Sequence, residues 1–162
     1  MYREILTKAI IAKGEKTIKQ QYTIELEHEV SKVLGCYIIN HSYKISHSKS
    51  TIMIQGDFDA FFWYGFDSNT NCGLQKKNYS YSSEIPYSFT IESYPLDEKS
   101  EIHDKIITQP SCTSMKFVGK SIIIDVETEV SLDIVGETKL KIKVDDVIVD
   151  QVINTDYVKD KH

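Results

Sequence analysis

Asp57 and Asp59 are the first residues in this chain whose types and spacing could do chemistry. Two positions apart on an extended strand, their side chains point the same way, with Cα atoms roughly 6.5 Å apart. Glycoside hydrolysis uses two carboxyl groups ~5–9.5 Å apart across a cleft, so the spacing admits a hydrolase. Glu127 and Glu129 repeat the geometry. For both pairs the plainer expectation is the wet face of a strand. The five histidines, His28, His41, His47, His103 and His162, show neither the HExxH spacing nor a His/Cys ligand pattern. His41 follows an apolar run and is expected to cap its strand with a hydrogen bond. Cys36, Cys72 and Cys112 are odd in number and widely spaced, which fits neither a disulfide framework nor a CxxC metal or redox site. Cys36 reads as a small core residue, and Cys72, in a turn-rich stretch, as the exposed thiol. There is no nucleophile elbow, phosphate loop or calcium loop. No catalytic residue, metal or cofactor is therefore assigned.

The carboxylate pair is positioned by Thr51–Phe66, TIMIQGDFDAFFWYGF, which carries the single Trp and four of the six Phe. With a period of two, Phe58, Ala60, Phe62, Tyr64 and Phe66 share one face. Asp57, Asp59, Phe61 and Trp63 share the other. The strand is thus wet on one face at first and apolar on both from Phe61 onward. Such a segment is either covered on both faces within the fold or offered to a partner.

The elements on either side read as strands. Ile5, Leu6, Ala9 and Ile10 suit a helical face, but the β-branched Ile10-Ile11 and Gly14 suit a strand ending in a turn, which is preferred. Ile18 to Leu26 alternates as a half-buried strand, and Val33 to His41 is an apolar run. Ser42 to Ser50 reads as a polar connector, and Asp67 to Asn71 as a turn. Leu74 to Ser83 places Tyr79 and Tyr81 on one face. Pro86 separates Tyr87 to Ser93 as a short strand. Beyond the boundary expected at residues 94–100, a Val118-Gly119-Lys120 turn precedes a long alternation. Ile122, Ile124, Val126, Thr128, Val130, Leu132 and Ile134 form its dry face. Asp125, Glu127, Glu129 and Asp133 form an acidic wet stripe. A hairpin is expected at Gly136, with Lys139 opposite Asp133 and Lys143 opposite Glu129.

Together these elements predict an all-β protein, an antiparallel β-sandwich. It is read as one domain over residues 1–146 with a short tail over 147–162. A sequence echo between Ile52-Met53-Ile54 and Ile122-Ile123-Ile124 suggests two related halves, 1–94 and 100–146. A net charge of −5 and a pI near 5.5 argue against nucleic-acid binding, since phosphates require an excess of Lys and Arg. No run of ~18 apolar residues supports membrane insertion, and the charged N-terminal stretch does not read as a secretory signal.

Several runs in order resemble one family. They are Tyr2-Arg3-Glu4-Ile5-Leu6-Thr7-Lys8-Ala9 with Ala12-Lys13-Gly14, and Leu34-Gly35-Cys36-Tyr37-Ile38-Ile39-Asn40-His41-Ser42-Tyr43. Gly56-Asp57-Phe58-Asp59 with Trp63-Tyr64 and Asn69-Thr70 follows, then Gln109-Pro110-Ser111-Cys112 and Val135-Gly136-Glu137-Thr138-Lys139. The chain resembles the outer spore coat morphogenetic protein E (CotE) family of endospore-forming bacteria over residues 2 to 144. The resemblance implies a non-enzymatic assembly protein, made in the mother-cell cytoplasm and gathered around the forespore. There it would self-associate and recruit other spore coat proteins to the outer coat. The family's strongly acidic tail is missing, because Val147–His162 mixes Asp150, Asp156 and Asp160 with Lys159, Lys161 and His162.

The expected function is accordingly a homo-oligomeric scaffold of the spore coat. Phe61, Trp63, Tyr79 and Tyr81 are the candidate self-assembly contacts. The stripe Asp125, Glu127, Glu129 and Asp133 is the candidate surface for partners. The alternative is a glycan-binding β-sandwich in which exposed aromatics stack on sugar rings.

Overall fold

The computed structural model describes residues 2–90 and 100–143, with side chains for 7–90 and 100–137. Among them there is no helix. The strands are β1 (Tyr2–Glu25), β2 (Val30–Ser48), β3 (Thr51–Phe66), β4 (Asn71–Glu84), β5 (Tyr87–Phe89), β6 (Glu101–Val118) and β7 (Ser121–Lys143). They form two antiparallel sheets, a four-stranded one in the order β5-β1-β7-β6 and a three-stranded one in the order β2-β3-β4. The predicted β-sandwich is what the chain adopts.

The described residues divide into two compact units. The larger takes in Gly14–Pro86 and Asp104–Ser131. Its core comes from both sheets: Ile18 and Ile24 of β1, Ile52, Ile54, Phe58, Ala60 and Phe62 of β3, and Ile122, Ile124, Val126 and Val130 of β7 are all buried. Alternation explains the assignment. In β3 every second residue from Ile52 to Tyr64 except Gly56 is buried, and in β7 every second residue from Ile122 to Ile134. A one-residue slip of either strand would put this set in water, so burial fixes the register. β3 pairs with β4 without interruption, from Met53 opposite Glu84 to Phe66 opposite Asn71. The turn between them holds Asp67, Ser68 and Asn69 at φ of 51, 56 and 69. Short polar side chains make that possible: Thr70 N–H donates to the Asp67 carbonyl at 3.1 Å, and Asn71 Nδ2 to Asp67 Oδ2 at 3.0 Å.

The smaller unit comprises the described parts of Met1–Lys13, Tyr87–His103 and Leu132–His162. Ile11, Ala12, Leu132 and Ile134 are buried in it. The short β5 is held to β1 by Thr90, whose N–H donates to the Ile11 carbonyl at 2.8 Å and whose hydroxyl donates to Ile10 O at 3.0 Å.

Three local expectations are corrected. Gly136 does not turn the chain, since β7 runs through it to Lys143. Its lack of a side chain serves packing instead: a Cβ there would lie 2.7 Å from Ile11 Cδ1. Lys139 and Lys143 consequently share a strand with Asp133 and Glu129 and do not face them. Nor does Gly14 end a strand, because β1 is continuous to Glu25. The supposed connector Ser42–Ser50 is mostly strand: β2 continues to Ser48 and pairs through His47 opposite Ile52. A two-residue Lys49–Ser50 loop with Lys49 at φ 55 closes that hairpin. Pro110 lies within β6, an edge strand of its sheet, where proline is tolerated. Most of the expected boundary at 94–100 and the tail 147–162 lie outside the described residues.

Candidate functional site

The outer face of the β2-β3-β4 sheet gathers most of the residues singled out above. Tyr37, Phe61 and Lys76 are aligned across its three strands, as are Gly35, Trp63 and Leu74 one pleat along. Because β3 alternates, Phe61 and Trp63 point away from the core that holds Phe58, Ala60 and Phe62. Both are half-buried. Around them Tyr37 is 64 % exposed, Leu74 53 % and Ile39 47 %, so the half-buried pair is the centre of an open apolar patch. Tyr37 meets Trp63 edge-on, with centroids 5.3 Å apart and planes at 88°, rather than forming a flat platform for a sugar ring. Lys76 Nζ lies 5.6 Å from the Phe61 ring centroid. Gly35 adds to the openness: a Cβ there would meet nothing within 4 Å.

Tyr79 and Tyr81 point the other way, into the sandwich. Tyr79 stacks on Tyr22 with centroids 3.9 Å apart, and Phe58 lies 6.0 Å from both rings. Tyr81 is buried and accepts or donates a 2.6 Å hydrogen bond with His41 Nε2. Burial pushes the Tyr22 and Tyr81 hydroxyls up to about 12, and Tyr79 upward as well. These two tyrosines are packing residues of the larger unit.

Asp57 and Asp59 are on the outer face, each engaged by neighbours. Ser42 Oγ donates to Asp57 Oδ1 at 2.6 Å. Asp59 accepts from Asn40 Nδ2 and Asn78 Nδ2, both at 3.0 Å, with Lys76 Nζ at 3.9 Å. The Asn40 bond first, then that of Asn78, holds the Asp59 carboxyl below its usual range. A general acid needs the opposite shift, so Asp59 is not poised for that role. What Asp59 does is local. Between Ile39 and Ser42 the β2 ladder is broken by a bulge, and Asn40 sits at φ 58. Asp59 clamps the Asn40 amide while the bulge turns His41 inward to Tyr81 and to Gln109 Oε1, 2.9 Å from Nδ1. Beside the bulge, an open concavity of about 600 Å³ is lined by Ser42, Lys44, Gln55, Asp57, Ser80 and Ser82.

On the four-stranded sheet, Asp125, Glu127 and Glu129 are half-buried and alternate with buried Val126, Thr128 and Val130. Asp125 accepts from Gln21 Nε2 at 2.9 Å. Lys19 and Thr113 line the same shallow depression of about 320 Å³ as Asp125 and Glu127, so the carboxylates are not a uniform acidic surface. Asp133, in the smaller unit, lies between buried Leu132 and Ile134. Among the described residues no group of three or more His, Cys, Asp or Glu could hold a metal ion, and no helix is long and apolar enough to cross a membrane.

Sequence reasoning did not foresee that Cys36 and Cys112, both half-buried, come near enough to influence one another. Each perturbs the other's thiol, Cys36 upward and Cys112 downward, and Cys112 Sγ donates to the Ser114 carbonyl at 3.3 Å. Spacing along the chain carries no signal for this proximity, because 75 intervening positions separate the two.

The general class is the β-sandwich, here with an open apolar patch on the outer face of its three-stranded sheet. The particular family is now identifiable. The chain belongs to the outer spore coat protein E (CotE) family, whose sequence model matches residues 1–162. Membership makes it an outer-coat protein of the bacterial spore, in a structural family that is not known for enzymes. Comparison with curated proteins and with solved structures finds no match.

Proposed function

We propose that this protein is a non-enzymatic scaffold of the outer spore coat that self-associates through the outer face of its three-stranded sheet. The observation that carries the reading is the open patch of Tyr37, Phe61, Trp63 and Leu74, set on a sheet whose other face already supplies the core. Aromatic anchors surrounded by exposed apolar neighbours are the composition from which interface cores are built. The long edge strands β2 and β4 flank the patch and offer backbone groups for pairing with a further copy.

Family membership supports the rest of the proposal: synthesis in the mother-cell cytoplasm, assembly around the forespore, and recruitment of other coat proteins. The carboxylates Asp125, Glu127 and Glu129 are the proposed surface for that recruitment. Light scattering of the purified protein over a concentration series tests self-association. The expected result is a mass above the monomer that falls with Trp63→Ala. A monodisperse monomer at high concentration overturns the scaffold reading.

A further inference from the structure

The two edges of the three-stranded sheet are unlike. On β2 the register against β3 shifts at Val30/Lys32, Val33/Gly35 and Ile39/Ser42. Residues along it are already bonded elsewhere: Val30 N–H donates to the Gly119 carbonyl at 2.9 Å, and Tyr43 Oη to Asp104 Oδ2 at 2.6 Å. The opposite edge, β4, pairs with β3 without a shift, and among the described residues it has a strand neighbour on one side only. Ile85 N–H donates to the Ile52 carbonyl at 2.9 Å, and the β3–β4 register sets those two residues opposite each other. Backbone direction alternates along an antiparallel strand. Odd-numbered residues of β4 therefore turn their N–H and C=O to β3, and even-numbered ones turn theirs to the open edge. Lys76, Asn78, Ser80, Ser82 and Glu84 thus present a regular row of donors and acceptors, and all five are exposed.

We propose that β4 is a second self-association site, pairing antiparallel with β4 of another copy about a two-fold axis at Ser80 and joining two sheets into one. The inference rests on the reading that the protein self-associates, but uses a surface other than the apolar patch. In this register Ser80 stands opposite Ser80, Asn78 opposite Ser82 and Lys76 opposite Glu84 of the second copy. Every such pair joins even-numbered residues, so the open backbone groups of both edges meet. Their side chains match as well, cation to carboxylate and amide to hydroxyl. On the inward parity Lys77 falls opposite Ser83. Slips toward the Asn71 end set Lys76 or Lys77 opposite itself, where like charges oppose pairing. The apolar patch is left clear, since Leu74 lies ~20 Å along the strand from Ser80. With separate edge and face contacts, one chain can join more than one neighbour, and the assembly extends beyond a dimer.

The test uses the full chain carrying Cys72→Ser, which removes the exposed thiol of β4. In a glutathione redox buffer, Ser80→Cys is expected to form a disulfide between two copies, because opposed residues of a hydrogen-bonded pair lie ~5.5 Å apart. Asn78→Cys alone should not link, its two copies being ~13 Å apart in this register, whereas a mixture with Ser82→Cys should. Peptide mapping identifies the joined positions. Independently, Ser80→Pro removes an N–H that β3 does not use. The urea midpoint should therefore hold while the dissociation constant from light scattering rises roughly tenfold or more. A Ser80→Cys link that survives Trp63→Ala supports the edge contact even where the face contact fails. No link at Ser80→Cys, a link in Asn78→Cys alone as strong as in the mixture, or association indifferent to Ser80→Pro overturns the edge pairing and leaves the face contact standing. A monodisperse monomer at high concentration overturns both.

Discussion

One substitution, made at two glycines, should move stability in opposite directions. Gly56 and Gly35 both lie in the three-stranded sheet, and neither has a positive φ. A Cβ on Gly56 would sit 2.6 Å from Cζ and Oη of Tyr81. The ring cannot swing aside, since it is 5 % exposed, packs near Phe58 and is tied to His41. Gly56→Ala therefore overpacks the core and breaks the His41–Tyr81 bond, at about 1–3 kcal/mol for strain plus ~1 kcal/mol for the bond, or about 2–4 kcal/mol lost. At Gly35 the new methyl meets nothing within 4 Å. Gly35→Ala should stabilise by about 0.4–1 kcal/mol, because it narrows the unfolded ensemble without disturbing the folded one. Urea unfolding reads both as shifts of the midpoint at constant slope. Equal losses at the two positions would refute the reasoning, because they would show that strand glycine is needed at both for its backbone.

Further outcomes follow from the same packing. Gly136→Ala should destabilise by about 1 kcal/mol through contact with Ile11 Cδ1, and Ile11→Val, which removes that atom, should recover part of the loss in a double-mutant cycle. The Asp59 carboxyl is lowered in the folded state by Asn40 and Asn78, so its contribution is present above ~4 and is lost as pH falls through the folded value. Acid unfolding followed by tryptophan fluorescence should lose part of this limb in Asp59→Asn, and an unchanged pH profile would contradict it. Tyr22 and Tyr81 by burial, and Tyr43 by its bond to Asp104, titrate near 12. Their stabilisation is full below ~10 and disappears as pH rises through 12, so tyrosinate absorbance should show a late step that overlaps alkaline unfolding.

Strands with one dry and one wet face were legible in the sequence, because burial imposes their period. β3 and the first part of β7 show every expected parity, and the turns at Asp67–Thr70 and Gly119 fall where polar and glycine residues announced them. Glycine misled where its cause is a neighbour: at Gly136 the reason is Ile11, 125 positions earlier, which no local pattern reports. The Ser42–Ser48 part of β2 was taken for a loop because it buries little on either side. As for the site, parity put Phe61 and Trp63 on the face opposite Phe58 and Phe62, but left open whether that face is covered. Nor did it show that Tyr79 and Tyr81 turn inward, because a shared face does not say which face is covered.

The strand order also governs when the molecule can exist. β2, β3 and β4 are consecutive and pair with their chain neighbours, so that sheet can form as soon as it is synthesised. β1 instead waits for β7, its partner from the far end of the chain. Until β7 arrives, the inner face of the three-stranded sheet lacks its full cover and is as apolar as its outer one. Incomplete chains therefore expose an apolar face that the finished fold covers, and correct folding depends on synthesis running through Ser121–Lys143.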